Sequence, residues 1–257
     1  MKLAVQTRPW GPDKNRNHLA EVLADVRAAG YDGFEIGAQH LDLTQPDALR
    51  GLTDAHGLQV AAIHIGGDLN SPDAMQAALP SLAQAIGYAA QVGATFVPFS
   101  GRPAPDKTNA DLRSAAATLN RVGEVCRDHG VRLCYHNHWW EIGDDYRELR
   151  GLLRDTDPAL VWLCLDVAWV LRGGGSPVAA VQTFGDRIGY LHLKDTRGDE
   201  WLEVGQGDLD WGALLPLVRA RPDPWAIVEQ DETRRLPLDS ARMSLAFLRQ
   251  SGLQVES

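Results

Sequence analysis

Several things are missing from this chain, and each absence closes off a class of function. No run of about 18 apolar residues occurs, so nothing is long enough to cross a bilayer as a helix. Cysteine is scarce: three residues, an odd number, with no CxxC pair. That excludes a disulfide framework and points to reduced thiols in a cytoplasm. Cys134 and Cys164 fall inside strand-like segments and read as small core residues rather than reactive thiols. Met1-Lys2-Leu3-Ala4-Val5-Gln6 enters a strand-like segment without a signal-peptide core, which also fits a cytoplasmic location. Basic clusters are absent beyond the pair Arg234-Arg235, and the formal net charge is −9. An acidic chain with no basic stripe repels phosphate backbones, so nucleic acid is disfavoured and none is expected as a partner. GxGxxG is absent too, which leaves Gly173–Gly175 as a plain loop. No phosphate-cradling glycine loop appears, which favours an unphosphorylated small molecule.

What is present is alternation. Strand-like runs at Lys2–Thr7, Gly33–Ile36, Gln59–Ile65, Thr95–Phe99, Val131–His138, Leu160–Asp166, Ile188–Leu193 and Trp225–Glu229 alternate with helical periodicity. The helices are expected over His18–Ala29, Pro46–His56, Pro72–Val92, Asn109–His129, Tyr146–Asp155, Val178–Phe184, Trp211–Arg219 and Leu238–Arg249. Several stop at glycine: Gly30, Gly57, Gly93 and Gly130. Ser176-Pro177 looks like an N-cap and first turn. Unbroken alternation favours a parallel sheet, and eight units in about 250 residues is the arithmetic of a closed barrel. The predicted fold is therefore α/β, a single (β/α)8 TIM barrel over residues 1–257, with an open doubly wound sheet as the alternative. No linker or low-complexity tract interrupts it.

Polar residues gather where a barrel would bring them together. Gln6, Glu35, His64, His136, His138, Asp166, His192 and Glu229 all lie at or near predicted strand ends. An open sheet would spread them along a line, whereas a barrel has one mouth. In Leu133–Glu141 two histidines, two tryptophans and a carboxylate follow an apolar run. Strand alternation points His136 and His138 the same way and Asn137 the other. Buried imidazoles need a metal, a carboxylate or a substrate. Asp166, His192 and Glu229, each ending a different strand, form a mixed oxygen and nitrogen set, with His136 or Glu141 as the fourth donor. Such a set suits one divalent ion (Mn²⁺, Mg²⁺, Co²⁺ or Zn²⁺) and lacks the thiolates of a structural zinc site.

Five stretches together resemble the xylose-isomerase-like superfamily. They are Tyr135–Glu141, Leu165-Asp166-Val167-Ala168-Trp169, His192-Leu193-Lys194-Asp195, Glu203-Val204-Gly205-Gln206-Gly207 and Val228-Glu229-Gln230-Asp231-Glu232. Within that superfamily they are similar to the sugar phosphate isomerase/epimerase and inosose dehydratase branch. The resemblance implies a TIM barrel with one divalent metal held by Glu, Asp, His and Glu from strands five to eight. Asp166, His192 and Glu229 match. At strand five His136 stands where many members have glutamate, and the nearest carboxylate, Glu141, comes five residues later. Trp169 also departs, standing where epimerases often place a histidine.

The chemistry expected from such a set begins with a proton. A divalent ion holding a carbonyl oxygen and the adjacent hydroxyl acidifies the C–H between them. Glu229 is the expected base, with His136 or Glu141 as a second acid or base. Reprotonation gives isomerisation or epimerisation, the expected activity, while loss of a β-hydroxyl gives dehydration as the alternative. The substrate would be a sugar or cyclitol ketone, contacted by His64, His138, Lys194, Trp10 and Trp169. Trp139 and Trp140 are further candidates for an aromatic wall. Lys194 has a second reading as the partner of Asp195, and Glu35 is expected to orient a metal ligand from behind. The competing classes are a non-catalytic sugar-binding barrel and an endonuclease-IV-like repair enzyme, the latter disfavoured by charge. No oligomeric state can be read, the homo-oligomer being the common default.

Overall fold

The computed structural model describes residues 1–253. Eight parallel strands close into a barrel: β1 (Lys2–Gln6), β2 (Gly33–Gly37), β3 (Gln59–Gly66), β4 (Phe96–Ser100), β5 (Arg132–His136), β6 (Val161–Asp166), β7 (Ile188–Leu193) and β10 (Trp225–Val228). β10 pairs with both β7 and β1, so every barrel edge is satisfied. Around it run α1 (Gly11–Asn17), α2 (Leu19–Ala29), α3 (Pro46–His56), α4 (Pro72–Gln91), α5 (Asn109–Asp128), α6 (Gly143–Asp155), α7 (Val167–Arg172), α8 (Pro177–Phe184), α9 (Trp211–Arg219) and α10 (Pro237–Gln250). Among the described residues no helix is long and apolar enough to cross a membrane.

Local chemistry explains where these helices start and stop. Ser71 and Ser176 cap α4 and α8 through their hydroxyls, each with proline in the first turn. Thr108 and Asp111 form a reciprocal capping box at α5. Gly30 and Gly57 adopt left-handed conformations that end α2 and α3. The regular part of α6 starts only after Asp144, Asp145 and Tyr146, three residues with φ between 52° and 60°.

Two layers of apolar packing result. Strand–helix packing buries an outer layer that includes Val22, Val26, Ile63, Leu119, Leu163 and Leu245. Inside the barrel sits a separate plug of Ala4, Ala62, Phe96, Cys134, Cys164, Tyr190, Trp225 and Ile227. Phe96 and Tyr190 stack there at 4.6 Å between ring centroids, flanked by small residues that make room for them. Burial pushes the Cys126 and Cys164 thiols up, to about 12 and about 11, so both stay protonated as packing residues.

Three local differences from the sequence reading concern the loops. Val167–Arg172, to which the sequence reading gave no helix, forms α7. Lys194 is followed by a small antiparallel hairpin, β8 (Asp195–Arg197) with β9 (Glu200–Leu202). Ahead of α2 stands the extra helix α1. All three are short, and a segment of three to seven residues spans too little to show a period.

Candidate active site and metal centre

Register decides which side chains meet at the mouth. Asp166 at the end of β6 lies level with His192 on β7, and Ser100 at the end of β4 lies level with His136 on β5. Glu229 follows β10 directly, its backbone N–H donating to Leu193 O. Four donor atoms converge as a result. His136 Nε2 lies 3.6 Å from Asp166 Oδ2 and 3.5 Å from Glu229 Oε2, and His192 Nδ1 lies 3.1 Å from Glu229 Oε2. All four residues are buried.

The donor atoms fit a cation. His136 Nε2, Asp166 Oδ2 and His192 Nδ1 are buried with no hydrogen-bond partner, a costly state for three polar atoms that face one another. One atom from each of the four residues falls within 4.8 Å of the rest. Donors bonded to one ion at about 2.0–2.2 Å lie roughly 3.0–3.6 Å apart, which matches the spacings above. His136, Asp166, His192 and Glu229 therefore form a set that could hold one divalent metal. Cys164 also lies near the two imidazoles, but its thiol is protonated.

Each donor is held from behind. Asp166 Oδ1 accepts from Trp169 N at 2.8 Å, capping α7 and leaving Oδ2 free. Asn137, pointing opposite to His136, accepts from Asp166 N at 2.9 Å and donates to Asp166 O, tying β5 to β6. Gln6 donates to Glu229 Oε1 at 3.0 Å. Glu35 is fully buried and meets His192, His64 and Tyr190, each at 3.0 Å. Burial alone would raise Glu35, but the imidazoles of His192 and His64 outweigh it and hold the carboxyl below its ordinary range.

Lys194 is buried among three carboxylates: Glu229 at 3.3 Å, Asp166 at 3.6 Å and Asp231 at 2.5 Å. Its ammonium also lies over the rings of Trp201 and Trp169, at 4.2 and 4.9 Å. Burial opposes ionisation of Glu229, yet the charges of Lys194 and His192 keep it well below the usual carboxylate range. In Asp166 burial prevails and the carboxyl is raised. Burial likewise lowers His138, leaving a neutral ring stacked on Trp140 at 4.3 Å.

A cavity of about 620 Å³ opens above this cluster, lined by Gln6, His64, Ser100, His136, His138, Trp169, Glu229 and Asp231 among others. His64, His138 and Trp169 thus line the cavity, His64 with both ring nitrogens engaged by Glu35 and Ser100. Three expectations need correction. Glu141 does not join the donors: a 3₁₀ turn at Trp139–Glu141 folds its carboxylate back to accept from Tyr135 Oη at 2.6 Å and His138 N at 2.8 Å. Burial raises that carboxyl to about 7. Trp10 is buried outside the cavity, its indole N–H donating to Asp25. Lys194 lies beneath the cavity wall and does not pair with Asp195. Asp195 instead accepts from Gly205 N, Gly207 N and the Trp211 indole, which explains the Glu203–Gly207 stretch: a Cβ at Gly207 would collide with that carboxylate.

Ser100 and Asp231 escaped the sequence reading. Asp231 had a signal, since it lies two residues beyond Glu229. A lone serine at a strand end carries none.

The family model described as xylose isomerase-like TIM barrel covers residues 23–251. An inosose dehydratase of Geobacillus kaustophilus is 28% identical, over 89% of this chain and 85% of that protein. A sugar phosphate isomerase/epimerase from Parabacteroides distasonis superposes with a TM-score of 0.83 at 22% identity, covering 98% of this chain and 94% of the other. The 3-keto-D-glucoside 4-epimerase of E. coli gives 0.78 at 19% identity, covering 97% and 99%. These last two similarities speak for the fold. The chain belongs to the xylose isomerase-like TIM barrel family.

Proposed function

We propose that this protein is a divalent-metal-dependent enzyme that removes a proton next to the carbonyl of a keto-sugar or cyclitol ketone, and that dehydration is the outcome. The observation that carries the reading is the double position of Glu229. Its Oε2 belongs to the donor cluster while its Oε1 is pinned by Gln6 at the cavity wall. When bound, a divalent ion supplies Lewis acidity to a carbonyl and its neighbouring hydroxyl, making the C–H between them acidic. Two imidazole nitrogens and two carboxylate oxygens suit Mn²⁺, Co²⁺ or Zn²⁺ better than Mg²⁺.

Glu229 remains ionised beside Lys194 and His192, so it is ready to accept the proton. Trp169 and His138 wall the cavity and limit water at the reacting carbon. Epimerisation needs acid–base groups on opposite faces of the carbon. The two other nearby carboxylates are engaged: Glu141 with Tyr135 and His138, Asp231 with Lys194 and Arg8. Dehydration on a single face needs one group only. Glu229 takes the α-proton, the β C–O bond breaks, and the same proton leaves with the hydroxyl as water. The curated relatives named inosose dehydratase, similar along most of this chain, favour the same outcome. Isomerisation or epimerisation through the same first step is the second reading, supported by structural neighbours with those names.

Proton NMR of Mn²⁺- or Zn²⁺-loaded protein with an inosose in D2O tests this. Disappearance of the proton next to the carbonyl, with an unsaturated ketone as product, is expected. Glu229→Gln should reduce both about 10³-fold or more. Interconverted epimers without loss of water would establish the second reading. No exchange with inososes, ketohexoses or 3-keto-sugars would sink the proposal.

A further inference from the structure

A carboxylate accepts hydrogen bonds and cannot donate them, so every nitrogen facing Glu35 must carry the hydrogen. His192 Nε2 lies 3.0 Å from Glu35 Oε2, and His64 Nδ1 lies 3.0 Å from Glu35 Oε1. His192 Nδ1 faces the donor cluster, 3.1 Å from Glu229 Oε2, so a metal that takes the place of the proton on this nitrogen leaves hydrogen on Nε2. Neutral His64 with hydrogen on Nδ1 has a bare Nε2, which needs a donor. Ser100 Oγ, 2.7 Å away, can supply it. A serine that donates to His64 keeps its oxygen open as an acceptor, and His136 Nδ1 lies 3.3 Å from that oxygen. With hydrogen on Nδ1, His136 has a bare Nε2, again the atom that faces the cluster.

We infer that Ser100, His64 and Glu35 form one directional hydrogen-bond arc that keeps hydrogen on the far nitrogens of His136 and His192, so that the nitrogens given up to a metal are the two that face the cluster. The arc spans four strands: β2 supplies Glu35, β3 His64, β4 Ser100 and β5 His136, while β7 closes it with His192. Tyr190 adds a third hydrogen bond to Glu35 and holds the carboxylate rigid between the two imidazoles. The two ligands use different nitrogens, Nε2 in His136 and Nδ1 in His192. A single carboxylate can command both because the Ser100–His64 step inverts the ring presented to it. The inference uses the metal-centred reading above for its purpose and not for its geometry. It makes Ser100 and His64 positioning residues for metal binding. His64 has both nitrogens engaged and none free for a substrate.

Fixing a ligand imidazole through its other nitrogen is typically worth 10–100-fold in metal affinity. Without that constraint an imidazole in water favours hydrogen on Nε2, which would turn His136 away from the cluster. Long-range ¹H–¹⁵N spectra, taken without metal at a pH where the rings are neutral and again with Zn²⁺ bound, report which ring nitrogen carries hydrogen. His136 and His64 are expected in the Nδ1–H form and His192 in the Nε2–H form. Ser100→Ala should move His136 to the Nε2–H form and weaken Zn²⁺ binding, read by competition with a chelator, by about 10–100-fold. Ser100→Thr keeps the hydroxyl and should restore both readings. A purely structural role for Ser100 would lower thermal stability and leave the tautomers unmoved. Wild-type His136 found with hydrogen on Nε2, or Ser100→Ala with unchanged spectra and affinity, overturns the arc. Wild-type protein with all three tautomers as stated but no affinity for Zn²⁺ upholds the arc and overturns the metal-centred function.

Discussion

The two ends of the barrel carry cavities of similar size, about 620 Å³ at the mouth and about 600 Å³ beneath, and they differ in how their polar atoms are satisfied. Below, Arg221 donates to Ile188 O at 2.7 Å and Gly185 O at 3.3 Å and pairs with Asp223. Arg132 lies over the ring of Trp162, both lining the same hollow. Among the described residues none that lines the lower cavity has a buried polar atom without a partner. At the mouth His136, Asp166 and His192 each have one, and these atoms face one another. Cavity size therefore distinguishes nothing here. Unsatisfied polar atoms do, because burial without a partner costs about 1–3 kcal/mol each unless something else occupies the gap.

Substitutions at the two ends should separate on that basis. The largest effect is the loss of about 10³-fold or more in turnover for Glu229→Gln at the mouth, with a fall in the thermal midpoint smaller than that for Arg221→Ala, since Lys194 keeps Asp231 and Asp166 beside it. A midpoint that falls by many degrees would make the mouth a stabilising region like the lower one. Next comes Arg221→Ala below. It leaves Asp223 and Ile188 O without partners, and should lower unfolding free energy by about 2–4 kcal/mol in urea titrations. Turnover at a temperature where the variant is folded should stay within about twofold of wild type. A large loss of turnover there would erase the distinction between the ends.

The smallest effect sharpens the boundary of the mouth. Glu141 sits beside the donors without joining them, and burial raises its carboxyl from 4.5 to about 7. Between those values the folded protein holds a proton that the unfolded chain has released. Stability should fall as pH climbs through that window, by about 1–3 kcal/mol, and level off above about 7. Glu141→Gln should flatten the profile in urea midpoints taken from pH 5 to 8. A wild-type profile that rises over this range would contradict the burial of an uncompensated carboxylate.

The barrel was legible from the alternation of periods, and Asp166, His192 and Glu229 could be read as strand ends, of which register brings Asp166 and His192 level. The choice between His136 and Glu141 was not. A three-residue turn decided it by aiming the carboxylate at Tyr135, and a contact between residues six apart in an irregular segment has no periodicity to betray it. Trp10 misled for a similar reason, because its indole found Asp25 on α2. Ser100 shows the opposite limit. Its importance depends on a hydroxyl lying between two rings from neighbouring strands, which only the closed sheet brings into reach.

The buried ammonium of Lys194 bears on how this protein begins its life. It stands 3.3 and 3.6 Å from two of the oxygens that could hold a metal, and Asp231 offers it a berth on the far side. The chain thus carries its own temporary counter-ion on a tether. A freshly made barrel can close around that placeholder and wait, and the incoming ion then has to displace only a neighbour that already has somewhere to go.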